Sequence, residues 1–309
     1  MIKHTTTGRW KLGISLSLIT VFFWGVAPIA LKIVLEDMGP FTIAWYRFLF
    51  SAALIGVWIF KKQHFPTLTI FRGSFLWLMM LAIFGLGANY AFFMIGLNYL
   101  PPSTAAVVIQ LAPMFLLFGS ILFFKESFRL SQSIGFFILV FGLILFFNTR
   151  FAFLLSGFST YASGIVLVVC AAILWAVYAL AQKQLLTKLP SATILLFIYI
   201  GCFIILTPFS KPAEILKISF IQLLLLIFTG LNTIFAYGSF SEALNHLEAS
   251  RVSMTMAIIP LITIGSMKIF SILFPGLIES EPLNLLSVVG AFMVVLGSMA
   301  SSLSRSEDT

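Results

Sequence analysis

Several polar and ionisable side chains stand inside long apolar runs, and they are the groups that could do chemistry. Arg47, Glu242 and Lys268 are the ionisable ones. An unpaired charge at the centre of a membrane helix costs about 2.5 to 3.5 kcal/mol on insertion scales, so its presence calls for a partner or a function. Lys268 lies two turns beyond Pro260 and, pointing inward, would favour a carboxylate or other anionic group. Arg47 and Lys268 both fall in the outer half of their runs, where a long basic side chain can also snorkel outward. Glu242 lies near the end of its run, where an interfacial charge is the simpler reading and a coupling proton the sharper one.

Asn89, Tyr90 and Gln110 in the first half of the chain could line a cavity with hydrogen-bonding groups and aromatic faces, together with Trp175, Tyr178, Asn232 and Tyr237 in the second. Such a lining suits an amphipathic solute, or a cation held by stacking and cation–π contact. Pro113 and Pro260 each interrupt an apolar run, where a proline removes one backbone hydrogen bond and clashes with the preceding turn. The freed carbonyls can meet a substrate or form a hinge.

Catalysis finds no constellation. His4, His64 and His246 lack the spacing of metal ligands, and no glycine loop followed by Lys is present to cradle a phosphate. Nothing calls for a cofactor. Cys170 and Cys202 lie in apolar runs without pairing or metal spacing and read as small hydrophobes.

The elements that must position these residues follow from composition. Of 309 residues, 61% are hydrophobic and 9% charged, with mean hydropathy +1.11. The apolar residues come in runs matched to bilayer thickness, which excludes one large soluble core. The +8 net charge is scattered between the runs, so it describes topology and not a nucleic-acid surface. Polar and Pro/Gly breaks place helices at 11–35, 41–60, 73–98, 102–124 and 131–148, then at 159–182, 191–209, 219–243, 250–274 and 283–303. The first run has no small-residue cleavage site and is expected to stay as a membrane helix. With ten crossings, twelve of the 18 Lys and Arg residues gather on one side and four on the other (Lys32, Arg150, Lys211 and Lys217), which puts both termini in the cytoplasm.

The halves repeat. At a shift of 147, Leu97-Asn98-Tyr99-Leu100 aligns with Leu244-Asn245-His246-Leu247, and Tyr90, Phe93, Ser103 and Pro113 meet Tyr237, Phe240, Ser250 and Pro260, giving seven identities over positions 90 to 113. Trp24 and Lys32 match Trp175 and Lys183 at a shift of 151, and Glu126, Gly135 and Gly142 match Glu281, Gly290 and Gly297 at 155. Five helices per half means that the second half, 151–309, enters the membrane opposite to the first, 1–150. Such inverted repeats build many secondary transporters.

The run Gly96-Leu97-Asn98-Tyr99-Leu100-Pro101-Pro102-Ser103, with Pro113 and Lys125-Glu126, resembles the EamA type of the drug/metabolite transporter superfamily. Ala243-Leu244-Asn245-His246-Leu247-Glu248-Ala249-Ser250 with Pro260 repeats it, and Phe23-Trp24-Gly25 adds to it. The segment Pro275-Gly276-Leu277-Ile278-Glu279-Ser280 before Glu281 departs from the repeat. The resemblance implies an all-α membrane protein of ten helices, cytoplasmic termini and a central cavity lined by the first, third, fourth, sixth, eighth and ninth helices. The expected function is secondary transport of a small organic metabolite by alternating access, with an amino acid or related zwitterion favoured and export preferred. Organic cations and anionic metabolites are the alternatives, and a non-transporting scaffold or receptor is the rival class. The expected substrate-binding set is Trp24, Asn89, Tyr90, Gln110, Trp175, Tyr178, Asn232, Tyr237 and Lys268, with Pro113 and Pro260 as helix breaks. The expected partners are the solute, membrane lipid and a coupling proton or ion, with no nucleic acid.

Overall fold

A computed structural model describes residue 7 and residues 9–62, 73–124, 130–150, 159–247, 249–277, 281 and 283–302. His4, His64, Glu248, the Lys125-Glu126 pair and the segment 278–280 lie outside the described residues, as do Lys3, Arg72, Arg129 and Arg305 among the residues that set the expected orientation.

The described residues form helices and turns, with no strand among them. The helices are α1 (Trp10–Val34), α2 (Pro40–Lys61), α3 (Ser74–Tyr99), α4 (Pro102–Val108), α5 (Ala112–Phe124) and α6 (Leu130–Phe146). They continue as α7 (Thr160–Leu185), α8 (Ser191–Leu206), α9 (Phe220–His246), α10 (Ala249–Met256), α11 (Ile259–Leu273) and α12 (Leu285–Ser302). Among the described residues, eight stretches are long and apolar enough to cross a membrane, and Leu130–Phe146 and Leu285–Ser301 are shorter apolar helices. The outward faces carry Phe22, Trp58, Trp77, Phe84, Leu122, Phe137 and Ile204, all exposed, which a hydrocarbon solvent accepts and water does not.

Boundaries follow local chemistry. Leu100 and Pro101 each precede a proline and are extended (ψ 152° and 150°), so α3 and α4 meet in a two-residue turn. Pro40 and Pro102 occupy the first turns of their helices, where a missing N–H is harmless. Ser219 and Gln222 close a capping box on α9. The Lys32 ammonium donates to the carbonyls of Leu97 and Asn98, both at 2.8 Å, and satisfies the negative end of α3.

The fourth and ninth expected helices are each broken. A 3₁₀ turn, Ile109–Leu111, separates α4 from α5, and the turn Ala257–Ile258 separates α10 from α11. Pro113 and Pro260 each follow at the second position of the new helix.

The helices pack in matched pairs: α3 against α7 and α1 against α9, α2 against α8, and α6 against α12. In the last pair the backbones touch at two glycine contacts. A Cβ on Gly142 would lie 2.8 Å from the Gly290 carbonyl oxygen, and one on Gly135 would lie 2.7 Å from that of Gly297. These are the glycines that the repeat aligns, but in exchanged partnership: Gly135 corresponds to Gly290 and touches Gly297, the counterpart of Gly142. Two elements related by a two-fold rotation contact each other in this way.

Candidate functional site

A cavity of about 150 Å³ opens between the helices, walled by α1, α2, α3, α7, α9 and the two broken helices. From α1 and α3 it takes C-terminal positions, including Trp24, Ala27, Pro28 and Leu31, then Asn89, Tyr90, Phe93 and Met94. The breaks contribute Ile109, Gln110 and Pro113 on one side and Met256 and Ile259 on the other. Trp175 on α7, and Asn232 and Tyr237 on α9, complete most of the wall. It is mainly apolar and aromatic with a few fixed polar groups, the usual make-up of a small-molecule pocket.

The aromatic residues pack ring against ring, Trp24 edge to face with Tyr237 and Trp175, and Tyr90 tilted against Tyr237. Trp24 sits 5.0 Å from Tyr237 and 6.4 Å from Trp175, and Tyr90 is 6.2 Å from Tyr237, between ring centroids. Three pairs aligned by the sequence repeat therefore meet at this cavity: Trp24 with Trp175, Tyr90 with Tyr237, and Gln110 with Ala257, whose carbonyl accepts from the Gln110 amide at 2.8 Å.

The amides are anchored to backbone. Asn89 donates to the Ala171 carbonyl at 2.8 Å, tying α3 to α7. Asn232 donates to the Phe23 carbonyl, which orients its amide and leaves Oδ1 buried without a partner among the described residues. Thr20 and Thr263 extend the same pattern, donating to the carbonyls of Ala236 (3.2 Å) and Gly25 (2.8 Å). Each carbonyl has a helical partner already, so these bonds serve to fix helix against helix.

Two of the expected residues are placed otherwise. Tyr178 is fully buried behind the wall, 6.5 Å from Trp175 and 6.0 Å from Tyr237, and supports those rings instead of facing the cavity. Lys268 is exposed on α11 and does not line the cavity, which corrects the expectation that it would receive an anionic group. The reason is helical geometry. Ile259, Thr263 and Met267 are buried on α11 at four-residue spacing, and Lys268 follows Met267 by one residue, about 100° around the helix. Pro260 is buried at the break but is not part of the wall.

Among the described residues, the charged side chain in the wall is Arg47 on α2, which the expected substrate-binding set leaves out. Ile43, Arg47, Ser51, Ile55 and Ile59 are all buried and recur every four residues, so they form the packed stripe of α2. That stripe was present in the sequence as a signal that Arg47 faces inward. Glu242 is exposed and pairs with His246 at 3.3 Å, away from the cavity wall.

Outside the cavity, Glu281 joins three segments. It receives a hydrogen bond from Thr104 at 2.6 Å and an ion pair from Arg150 at 2.9 Å, while Arg150 also donates to the Tyr161 hydroxyl at 2.6 Å. Burial pushes the Glu281 carboxyl above the usual carboxylate range, against the opposing pull of Thr104 and Arg150.

Comparison with known proteins adds the family. The model of the EamA-like transporter family matches residues 11–148 and 162–303. A transporter of Haemophilus influenzae is 40% identical over 94% of this chain and 95% of its own length. The inner membrane transporter YhbE of Escherichia coli is 39% identical over 94% and 91%. A Salmonella typhimurium protein named a probable amino-acid metabolite efflux pump is 22% identical over 91% and 92%. A solved crystal structure shares the fold with a TM-score of 0.65 at 14% identity, covering 93% of this chain and 95% of that one. The apolar helices and the inner-membrane relative mark an integral protein of the bacterial inner membrane. With the family model matched along nearly its whole length, the chain belongs to the EamA-like transporter family.

Proposed function

We propose that this protein is a secondary transporter that moves a small organic metabolite, an amino acid or related zwitterion by preference, by alternating access and in the outward direction. Its two halves, 1–150 and 151–309, are five-helix repeats of opposite orientation, giving ten crossings and two cytoplasmic termini. The observation that carries this reading is the meeting of repeat-aligned residues across one cavity: Trp24 with Trp175, Tyr90 with Tyr237, and Gln110 with Ala257. A two-fold axis through the cavity makes the site equally available to two arrangements of the halves related by that rotation, and exchange between them is alternating access. The matched pairing of α3–α7 with α1–α9 and the family match in two segments support the same division.

Amphipathic solutes suit the aromatic wall with its amide groups. The name of the Salmonella typhimurium relative points to the same substrate class and direction. Purified protein in proteoliposomes loaded with unlabelled amino acids tests the reading through uptake of the labelled solute. Saturable uptake accelerated by solute on the far side is expected. Uptake without trans-stimulation would point to a channel, and none across amino acids, amines, nucleosides and organic acids would favour a scaffold or receptor.

A further inference from the structure

Arg47 is 5% exposed and forms part of the cavity wall. Among the described residues, its polar contacts are with neutral groups. Nε donates to the Thr229 carbonyl and the Thr233 hydroxyl, both at 3.1 Å, and one terminal nitrogen reaches the Tyr90 hydroxyl at 3.4 Å. The guanidinium carbon lies 4.6 Å from the Tyr90 ring centroid. The remaining terminal nitrogen makes no hydrogen bond, and no carboxylate pairs with the side chain, among the described residues.

A tie between α2 and α9 does not require a charge. One turn away on the same stripe, Ser51 makes that tie with a neutral hydroxyl, donating to the Gly230 carbonyl at 3.2 Å. A guanidinium is a planar fork of five donors matched to a carboxylate, and here the contacts to Thr229 and Thr233 hold its stem side while a terminal amine remains without a partner. No acidic residue lines the cavity among the described residues, so the wall holds one positive charge amid aromatic and aliphatic groups. Buried cations in membrane helices are paired or stand on substrate paths.

We infer that Arg47 receives the anionic head of the transported solute, so that the substrates are carboxylates whose apolar chain lies against Trp24, Trp175 and Tyr237. This rests on the transporter reading above and narrows it: the carboxylate is required and the amino group is not.

Three solutes of one shape separate the head groups: L-leucine, 4-methylpentanoate, which lacks the amine, and 3-methylbutylamine, which lacks the carboxylate. Calorimetric titration of the full chain in lipid nanodiscs is expected to show both acids binding and the amine binding at least about tenfold more weakly. Arg47→Gln should weaken both acids by about tenfold or more, with Arg47→Lys keeping part of the affinity because the charge remains but the fork is lost. If Arg47→Gln fails to fold, the graded loss in Arg47→Lys carries the same test. Equal binding of amine and acids, acid binding unchanged in a folded Arg47→Gln, or no binding by any of the three would overturn the assignment. Counterflow separates it from the broader reading. Counterflow of the amine alone would leave a carrier standing without a carboxylate receptor. Arg47-dependent binding of the acids without any counterflow would leave the receptor standing without a carrier.

Discussion

The side-chain amide of Gln110 donates a 2.8 Å hydrogen bond to the backbone carbonyl of Ala257, the residue that the repeat aligns with Gln110 itself. Each lies at the broken turn of its helix, three residues before the proline at the start of the next helix. The first break thus supplies a donor to the carbonyl that the second break leaves without its helical N–H. Under the proposed alternating access, rotation of one half against the other would slide or open this bond.

Gln110→Leu keeps the volume and removes the donor. A stability loss of about 1 kcal/mol is expected, the usual value for one buried or interhelical hydrogen bond. Equilibrium unfolding in mixed micelles measures it, and unchanged stability together with an unchanged transport rate would deny the bond a role.

The glycine contacts of α6 and α12 predict a larger effect. A side chain on Gly142 meets the Val294 amide nitrogen at 2.6 Å and the Gly290 carbonyl, both backbone, so nothing can move aside cheaply. Gly142→Leu should separate the helices and cost about 1–3 kcal/mol or more. Gly265→Ala, whose new methyl group finds nothing within 4 Å, is the control. Size-exclusion profiles of fluorescent fusions should show loss of the folded peak in the first variant only.

Glu281 predicts a pH dependence. Its folded carboxyl, raised by burial, holds a proton at pH values where the unfolded chain has released it. Its contribution to stability is therefore complete below the unfolded pKa and falls as pH rises through the folded one. Thr104, Arg150 and Tyr161 are the groups around it. Glu281→Gln imitates the protonated form, so the difference in Tm between wild type and variant should become less favourable to wild type as pH rises above the ordinary carboxylate range. A difference that does not change with pH would contradict this.

Orientation is tested by fusions. Alkaline phosphatase joined after Lys217 should be active outside the cytoplasm, and joined after Lys188 inactive, while green fluorescent protein at the C-terminus should fluoresce. The reverse pattern would invert the topology.

Much of the fold was legible because a bilayer imposes run length on the sequence. The expected helix 73–98 is Ser74–Tyr99 in the structure, and 191–209 is Ser191–Leu206 with its following 3₁₀ turn. The breaks at Pro113 and Pro260 were also legible, since proline acts locally. What the sequence could not supply was the direction in which a side chain faces when most of a helix is apolar. On α11 polar residues stand on both sides of the helix, Thr263 buried and Lys268 exposed, so polarity alone did not tell which side Lys268 would take. On α2 the contrast existed in the four-residue stripe through Arg47 and Ser51, and it outweighs the snorkelling that the position alone suggests. The pairing of Gln110 with Ala257 was beyond reach for another reason: the acceptor is a backbone carbonyl, and its residue type carries no trace of the role.

The central claim is that one cavity is open to each side of the membrane in turn. Ile109, at the first break, lines it. With Cys170 and Cys202 replaced by serine, Ile109→Cys can be challenged with a membrane-impermeant maleimide in right-side-out and in inside-out vesicles. Labelling from both sides, with solute shifting the balance between them, is the predicted result. Labelling confined to one side, whatever solute is supplied, would contradict alternating access.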